Sequence, residues 1–230
     1  MKHLLLLLAS ASLFAAAPSH SPILVELFTS EGCSSCPPAD KLLEQLDKDA
    51  AEDVIVLSEH VDYWNHIGWR DPFSSAVYSD RQRAYASHFR IESVYTPQMV
   101  VDGVAEFVGS DARQARSSIL NAARKPKAGI RVTSLGEGKV RIEADAITGQ
   151  DADVYLAIAA NGETSNVKSG ENGGRKLHHV AVVKTLTKIG TAKKGEAFHK
   201  DIDARTQDGQ RIVAFLQERG PGRILAAGKL

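Results

Sequence analysis

The chain of 230 residues is poor in cysteine: it has two, Cys33 and Cys36. A structural zinc site needs about four ligands, and no second cysteine pair exists to complete one. Charge of one sign is also lacking. Lys+Arg and Asp+Glu each number 28, so the formal net charge is zero, and nothing steers the chain to nucleic acid or to an anionic membrane surface. There is no long run of like charge, no basic patch interleaved with aromatics and no internal repeat. After the first twenty residues no apolar stretch is long enough to hold the chain in a membrane. What remains, 43% apolar and 24% charged residues, is the balance of a soluble globular protein. The length allows one large domain or two ordinary ones.

The N-terminus reads differently. Met1-Lys2-His3 is a short positive start, residues 4–17 are apolar apart from Ser10 and Ser12, and Ala15, Ala16 and Ala17 supply small residues at the end. This is the layout of a secretory signal peptide over residues 1–20; the alternative is an uncleaved anchor. A periplasmic or secreted protein is expected, soluble and free of the membrane once the leader is removed. Export changes the reading of the cysteines. A disulfide staple stabilises by closing a loop, and the benefit grows with loop length. With two residues between Cys33 and Cys36 the loop is nearly the shortest possible, so a structural role explains the pair poorly.

Residues 22–123 alternate strand and helix. Apolar strands are expected at 22–29 and 54–61, helices at 36–49 and 71–90, a hairpin over 98–108 turning at Asp102-Gly103, and a last helix capped by Ser110. That order points to an α/β arrangement with a mixed sheet. Beyond Arg124-Lys125-Pro126-Lys127 the period shortens. Strands are expected at 139–146, 154–160, 180–186, 197–202, 210–217 and 224–227. About seven strands in about 100 residues point to an antiparallel β-sandwich.

Cys33 follows a strand and precedes a helix, where unsatisfied N–H groups and the helix dipole favour a thiolate. A thiolate is the nucleophile of disulfide exchange. Cys36 lies one helical turn further on and is placed to resolve a mixed disulfide. Pro37-Pro38 qualifies this, because a helix starting late moves its dipole away from Cys33. Glu26 lies in the apolar run Ile23-Leu24-Val25-Glu26-Leu27-Phe28. Leu24 and Phe28 share its side of the strand, which argues for burial. A buried carboxylate there is a candidate proton acceptor for Cys36; the alternative is a structural carboxylate. His60 and Asp62, near the end of the second strand, either join the cysteines in binding a soft metal such as Cu(I) or form a bonded pair that orients the Trp64 segment. His178-His179 reads as strand surface. Asn172-Gly173-Gly174 reads as a flexible turn or, less simply, as a substrate contact.

Over residues 22–124 the sequence resembles the thioredoxin superfamily. The residues that carry this are the strand with its embedded acid, Cys33-Ser34-Ser35-Cys36 at a helix start, Thr96-Pro97 before a strand, and the final hairpin and helix. The resemblance implies a cis Thr96–Pro97 bond beside the cysteines and a buried acid at Glu26. Gly32, in place of the usual Trp, is a departure. So are about twenty extra residues, 63–83, which carry Trp64, His66, Trp69 and Tyr78 and are placed to roof the site. More closely, residues 26–40, 61–73 and 170–179 resemble an exported bacterial family of unassigned function, number 1223 among domains of unknown function. The fold implied is an α/β thioredoxin-like domain (21–125) followed by an antiparallel β-sandwich domain (126–230).

The leading functional expectation is a thiol–disulfide oxidoreductase acting on exported protein thiols or disulfides through Cys33 and Cys36, with Thr96, Pro97 and Glu26 in the site and no cofactor or metal ion. Two other classes stay open. One is a Cu(I) metallochaperone using the same thiols. The other is a non-redox binding protein whose cysteines remain oxidised.

Overall fold

The computed structural model describes residues 21–49 and 53–230; the expected leader, residues 1–20, lies outside them. β1 (Ile23–Thr29) and β2 (Val54–His60) are buried at every position, as strands covered on both faces must be. They pair in parallel, and Thr29 lies opposite His60 at their C-terminal ends. α1 (Pro37–Asp49) connects them. α2 (Ala76–Phe89) is capped by Ser75, whose hydroxyl accepts from Val77 N. It starts later than the sequence pattern indicates, because Asp71 accepts from Phe73 N and turns the chain. β3 (Gln98–Val101) runs antiparallel to β1 and returns as β4 (Ala105–Val108). In the turn between them Asp102 and Gly103 have φ of 50° and 67°, the positive values that Asp-Gly readily adopts. α3 (Ala112–Ala123) begins at Asp111, whose carboxylate accepts from Arg113 N and Gln114 N. Asp111, not Ser110, is therefore the cap.

The second half contains β5 (Ile130–Gly136), β6 (Lys139–Ala144), β7 (Ala152–Ala160), β8 (Glu163–Asn166), β9 (Lys176–His179), β10 (Val182–Ala192), β11 (Phe198–Asp203), β12 (Gln210–Glu218) and β13 (Ile224–Lys229). These strands do not form a sandwich of their own, and the expected thioredoxin-like domain followed by a β-sandwich is corrected. One mixed sheet of eight strands, in the order β13-β12-β7-β10-β2-β1-β3-β4, runs through both halves. The join is β10, which pairs with β2 in parallel at Val182 and Ser58. The described residues are mostly β, with thirteen strands against three helices. Alternation along a strand fixes which side chains face inward but not which strand lies alongside. β2 offered an open edge, and β10 covers it.

The faces of the sheet are covered differently. β1, β2 and β3 turn Val25, Leu27, Val56, Met99 and Val101 toward α1 and α3, against Ala39, Leu43 and Ala115. On the same side of β7 and β12, the three-stranded sheet β11-β6-β5 packs Val140 and Ile142 against Leu156, Ala214 and Leu216. The opposite face carries α2. There Arg81 is buried and binds Glu26 through Nε (2.5 Å), Tyr85 Oη (3.2 Å) and Gln217 Oε1 (3.0 Å). Its guanidinium also lies 5.4 Å from the ring centres of both Tyr155 and Phe215. One side chain thereby ties β1, α2, β7 and β12 together.

Glu59 lies 3.6 Å from Arg81 Nε and is fully buried. Burial, and then the charge of Glu26, push its carboxyl well above the usual range. Removing one partner of a buried charged network leaves the others uncompensated, so Arg81→Met is expected to cost about 3–5 kcal/mol in urea denaturation. Glu59 acts in the other sense. A raised carboxyl binds its proton more tightly in the folded state, so this contribution falls as pH rises above the ordinary value of 4.5. Glu59→Gln keeps a neutral group, and its stability relative to wild type is expected to improve as pH is raised from about 5 to about 8.

Candidate active site

Cys33 and Cys36 form a disulfide with Cα atoms 5.4 Å apart. The loop that carries them leaves the C-terminal end of β1 and enters α1. Cys33 N donates to Ser30 O (3.1 Å) and Cys36 N to Cys33 O (3.2 Å). The helix is not delayed by Pro37-Pro38: it begins at Pro37. The consequence lies in the donors. Neither proline has an N–H, and the next two amides, Ala39 N and Asp40 N, both donate to Cys36 O (2.8 and 3.1 Å). The free N–H groups that a helix start ordinarily offers to an anion are therefore depleted here.

Beneath the loop is a buried set of charged groups. Glu31 is completely buried. Its carboxylate accepts from Trp69 Nε1 (2.8 Å) and Ser165 Oγ (3.1 Å) and pairs with His179 Nε2 (3.3 Å). The other ring nitrogen of His179 is 3.7 Å from Asp40 Oδ2, and Thr29 Oγ1 donates to Asp40 Oδ1 (2.9 Å). Burial disfavours the charged imidazole, but the nearby carboxylates Asp40 and Glu31 outweigh it and push His179 up to about 10. Asp71 Oδ2 accepts from Glu31 N (2.9 Å) and pairs with His60 Nδ1 (2.7 Å). Burial raises Asp71, yet the charge and hydrogen bond of His60 and the amides of Glu31 and Phe73 leave it below the usual carboxylate range. The His60 and His179 rings meet edge to face, 4.7 Å between centres.

Two loops close the site. In residues 61–75, Trp64 Nε1 donates to Thr96 Oγ1 (2.8 Å), and its Cβ lies 3.1 Å from where a Cβ on Gly32 would stand. Any larger residue before Cys33 would press on Trp64. In residues 167–175, Asn172 Nδ2 donates to both Glu31 O and Cys33 O (2.9 Å each), and Glu171 Oε2 accepts from Ser34 N (2.8 Å). Ser169 Oγ donates to Gly68 O and links the two loops. Cys33 and Cys36 have no exposed surface, whereas Ser34 and Ser35 are exposed.

The Thr96–Pro97 bond is cis, as expected. Phe28 lies opposite Gln98 in the β1–β3 register, which puts Pro97 at the strand end where the cysteine loop departs. Glu26 is placed elsewhere. It is buried, but it points with Leu24 toward α2, away from the α1 face formed by Val25 and Leu27, and it is held by Arg81 and by Tyr85 Oη (2.5 Å). The structural reading of Glu26 matches this placement, and the carboxylates near the cysteine loop are Glu31 and Asp40. His60 and Asp62 also separate: His60 pairs with Asp71, while Asp62 accepts from Ser79 Oγ (2.5 Å). The four-residue soft-metal set is not assembled, and among the described residues no group of three or more His, Cys, Asp and Glu side chains is placed to hold a metal ion. His179 is not strand surface. It is buried with Leu177 on one side of β9, a period-two signal readable in the sequence. Asn172 is buried rather than a free turn residue.

The model of a family described as "Protein of unknown function (DUF1223)" matches residues 24–217. The chain is similar to protein AGR_C_4864 from Agrobacterium tumefaciens, a solved structure with 29% sequence identity and a TM-score of 0.79 over 94% of this chain and 96% of that one. It is also similar to HBP35 of Porphyromonas gingivalis, with 15% identity and a TM-score of 0.59 over 94% of this chain and 76% of that one; this second likeness is one of fold alone. No curated protein matches.

The charge on His179 has a measurable signature. Its folded value, about 10, lies above the ordinary 6.5. The stabilisation is therefore fully present below about pH 6.5 and is lost as pH rises toward 10. The stability difference between wild type and His179→Gln, followed by urea denaturation, is expected to be largest at about pH 6 and to shrink steadily by about pH 10.

Proposed function

The chain belongs to the DUF1223 family, and we propose that it is a thiol–disulfide oxidoreductase of the periplasm or extracellular space, acting on the thiols or disulfides of exported proteins. The observation that carries this reading is the Cys33–Cys36 disulfide itself. A loop this short contributes little stability, yet the chain invests a buried charged cluster, the Thr96–Pro97 strand start and two covering loops in the residues around it. The leader-like residues 1–20 support export.

In the oxidising direction a partner thiolate attacks Cys33 Sγ, the bond to Cys36 breaks, and Cys36 leaves as a thiolate. A second partner thiol, after losing its proton, attacks the mixed disulfide. The partner then holds a disulfide, two electrons have passed to the cysteine pair, and Cys33 departs as a thiolate. The reducing direction is the reverse. Cys33 is assigned as the attacked residue because it precedes the helix, while Cys36 carries the first hydrogen bonds of α1.

Both sulfurs are covered, and the 167–175 loop, which is bonded to the backbone around them, is one segment whose displacement would open the site. Asn172 makes two hydrogen bonds to the cysteine loop, each worth about 1 kcal/mol. Asn172→Ala is expected to speed reduction of the disulfide by dithiothreitol about tenfold; an unchanged rate removes the loop as a barrier. The function is tested by trapping. Cys36→Ser protein, produced in exporting cells, is expected to accumulate mixed disulfides with exported proteins at Cys33, and Cys33→Ser protein is not. Equal trapping by both variants overturns the assignment of roles, and trapping by neither overturns the oxidoreductase reading.

A further inference from the structure

We propose that His179 is the positive counter-charge of the cysteine pair, favouring the thiolate that forms when the Cys33–Cys36 disulfide is reduced, with Glu31 and Asp40 as opposing charges that set its strength. His179 is a positioning residue in this role: it acts on the thiolate through the field it creates, not by touching a substrate.

The placement is what carries the argument. Glu31 stands two residues before Cys33, and Asp40 stands in the first turn of α1, its N–H on Cys36 O (3.1 Å). His179 lies between those two carboxylates, 3.3 Å from one and 3.7 Å from the other, and so between the residues that flank the cysteine loop on either side. It is 2% exposed, which keeps water from screening its charge. The ordinary source of thiolate stabilisation at such a site, free N–H groups of the helix start, is depleted by Pro37 and Pro38. A cation below the loop takes over that part.

Glu31, from the segment after β1, and Asp40, from α1, pair with His179, and the rings of His60 from β2 and Phe73 from the 61–75 loop lie against it. One contact further out, Thr29 bonds to Asp40, Trp69 and Ser165 to Glu31, and Asp71 to His60. Three of these are carboxylates. Without the imidazolium the loop would stand over uncompensated negative charge, which disfavours a thiolate. The elevated proton affinity of His179 keeps the cation present throughout the neutral range. When a partner dithiol reduces the disulfide, two electrons enter and the sulfur–sulfur bond breaks. Of the partner's two protons, one remains on a thiol of the pair and one goes to solvent. His179 favours that release because it stabilises the remaining thiolate.

The proposal rests on the oxidoreductase reading for its use, but its test does not. In the reduced protein the thiolate can be followed against pH by its ultraviolet absorbance and by the rate of alkylation with iodoacetamide. His179→Gln removes the cation, and below the wild-type midpoint the thiolate fraction is expected to fall about tenfold. Glu31→Gln removes an opposing anion and leaves Asp40 to hold His179 protonated, so the thiolate fraction is expected to rise by a similar factor. Opposite signs from two isosteric changes in one cluster are the mark of charge. A merely structural role would move both variants the same way, and that result, or no movement in either, overturns the proposal. Should His179→Gln fail to fold, Glu31→Asp, which keeps the charge, is compared with Glu31→Gln: only the Gln variant is expected to raise the thiolate fraction, and an equal rise in both, or none in the Gln variant, overturns the proposal. Trapping of partners by Cys36→Ser is independent of these signs, so failure here leaves the functional reading standing.

Discussion

The hydrogen bond from Ser58 N to Ala181 O (2.9 Å) is the joint on which the rest of the molecule depends. It is made where β10 meets β2, and it turns two stretches of chain into one eight-stranded sheet. Ala181 has a φ of 49°, a conformation that costs a residue with a side chain about 1 kcal/mol or more. It is fully buried and held by neighbours on both sides. The kink aims the preceding strand across the C-terminal ends of β1 and β2. That brings His179 between Glu31 and Asp40, and Asn172 onto the backbone of the cysteine loop. A site begun by residues 29–40 is completed by residues 165–179.

The sheet separates two buried charged clusters, each organised by one cation. Neighbouring residues of one strand point to opposite faces, so Glu59 joins Arg81 and Glu26 on the α2 side while His60 joins Asp71 and His179 on the other. The division assigns distinct work. Arg81 binds to carboxylate, phenol, amide and aromatic rings that come from four elements, and it fixes the packing of α2. His179 lies between Glu31 and Asp40, the two acids that flank the cysteine loop. Glu26, although buried and acidic, belongs to the first cluster.

Both sulfurs lie without exposed surface in a loop hemmed in by two segments: Trp64 stands against Gly32 and donates to Thr96, and Glu171 and Asn172 hold the loop backbone. Each of these ties is a single hydrogen bond or contact, worth about 1 kcal/mol. Much of residues 61–73 serves this closure. Asn65 accepts from Asp71 N (3.0 Å), Trp69 donates to Glu31, and Asp71 bridges Glu31 and His60.

Much of the local structure was legible in the sequence. The apolar runs of β1 and β2, the Asp102-Gly103 turn, the Cys33–Cys36 pair at a helix start and the cis bond at Thr96–Pro97 all follow from short-range chemistry or from motif resemblance. The roofing role of the Trp64 and Trp69 segment was expected too. Glu26 shows the limit. Its burial was readable from Leu24 and Phe28 beside it, but its partner, Arg81, lies 55 residues away. His179, read from the sequence as strand surface, is buried with Leu177, and nothing local in the chain names the carboxylates that receive it. The sequence by itself determined the longer strands and the helices and most of the sides that face inward, because those properties repeat over two to four residues; β5, β8 and β9, and the burial of His179, were not among what it yielded. Only the tertiary structure decided that β10 lies beside β2, that the two halves share one sheet, and that His179 joins the acids flanking the cysteine loop while Glu26 binds Arg81. Strand pairing and ion pairing join residues far apart in the chain, and alternation along one strand carries no information about its neighbour.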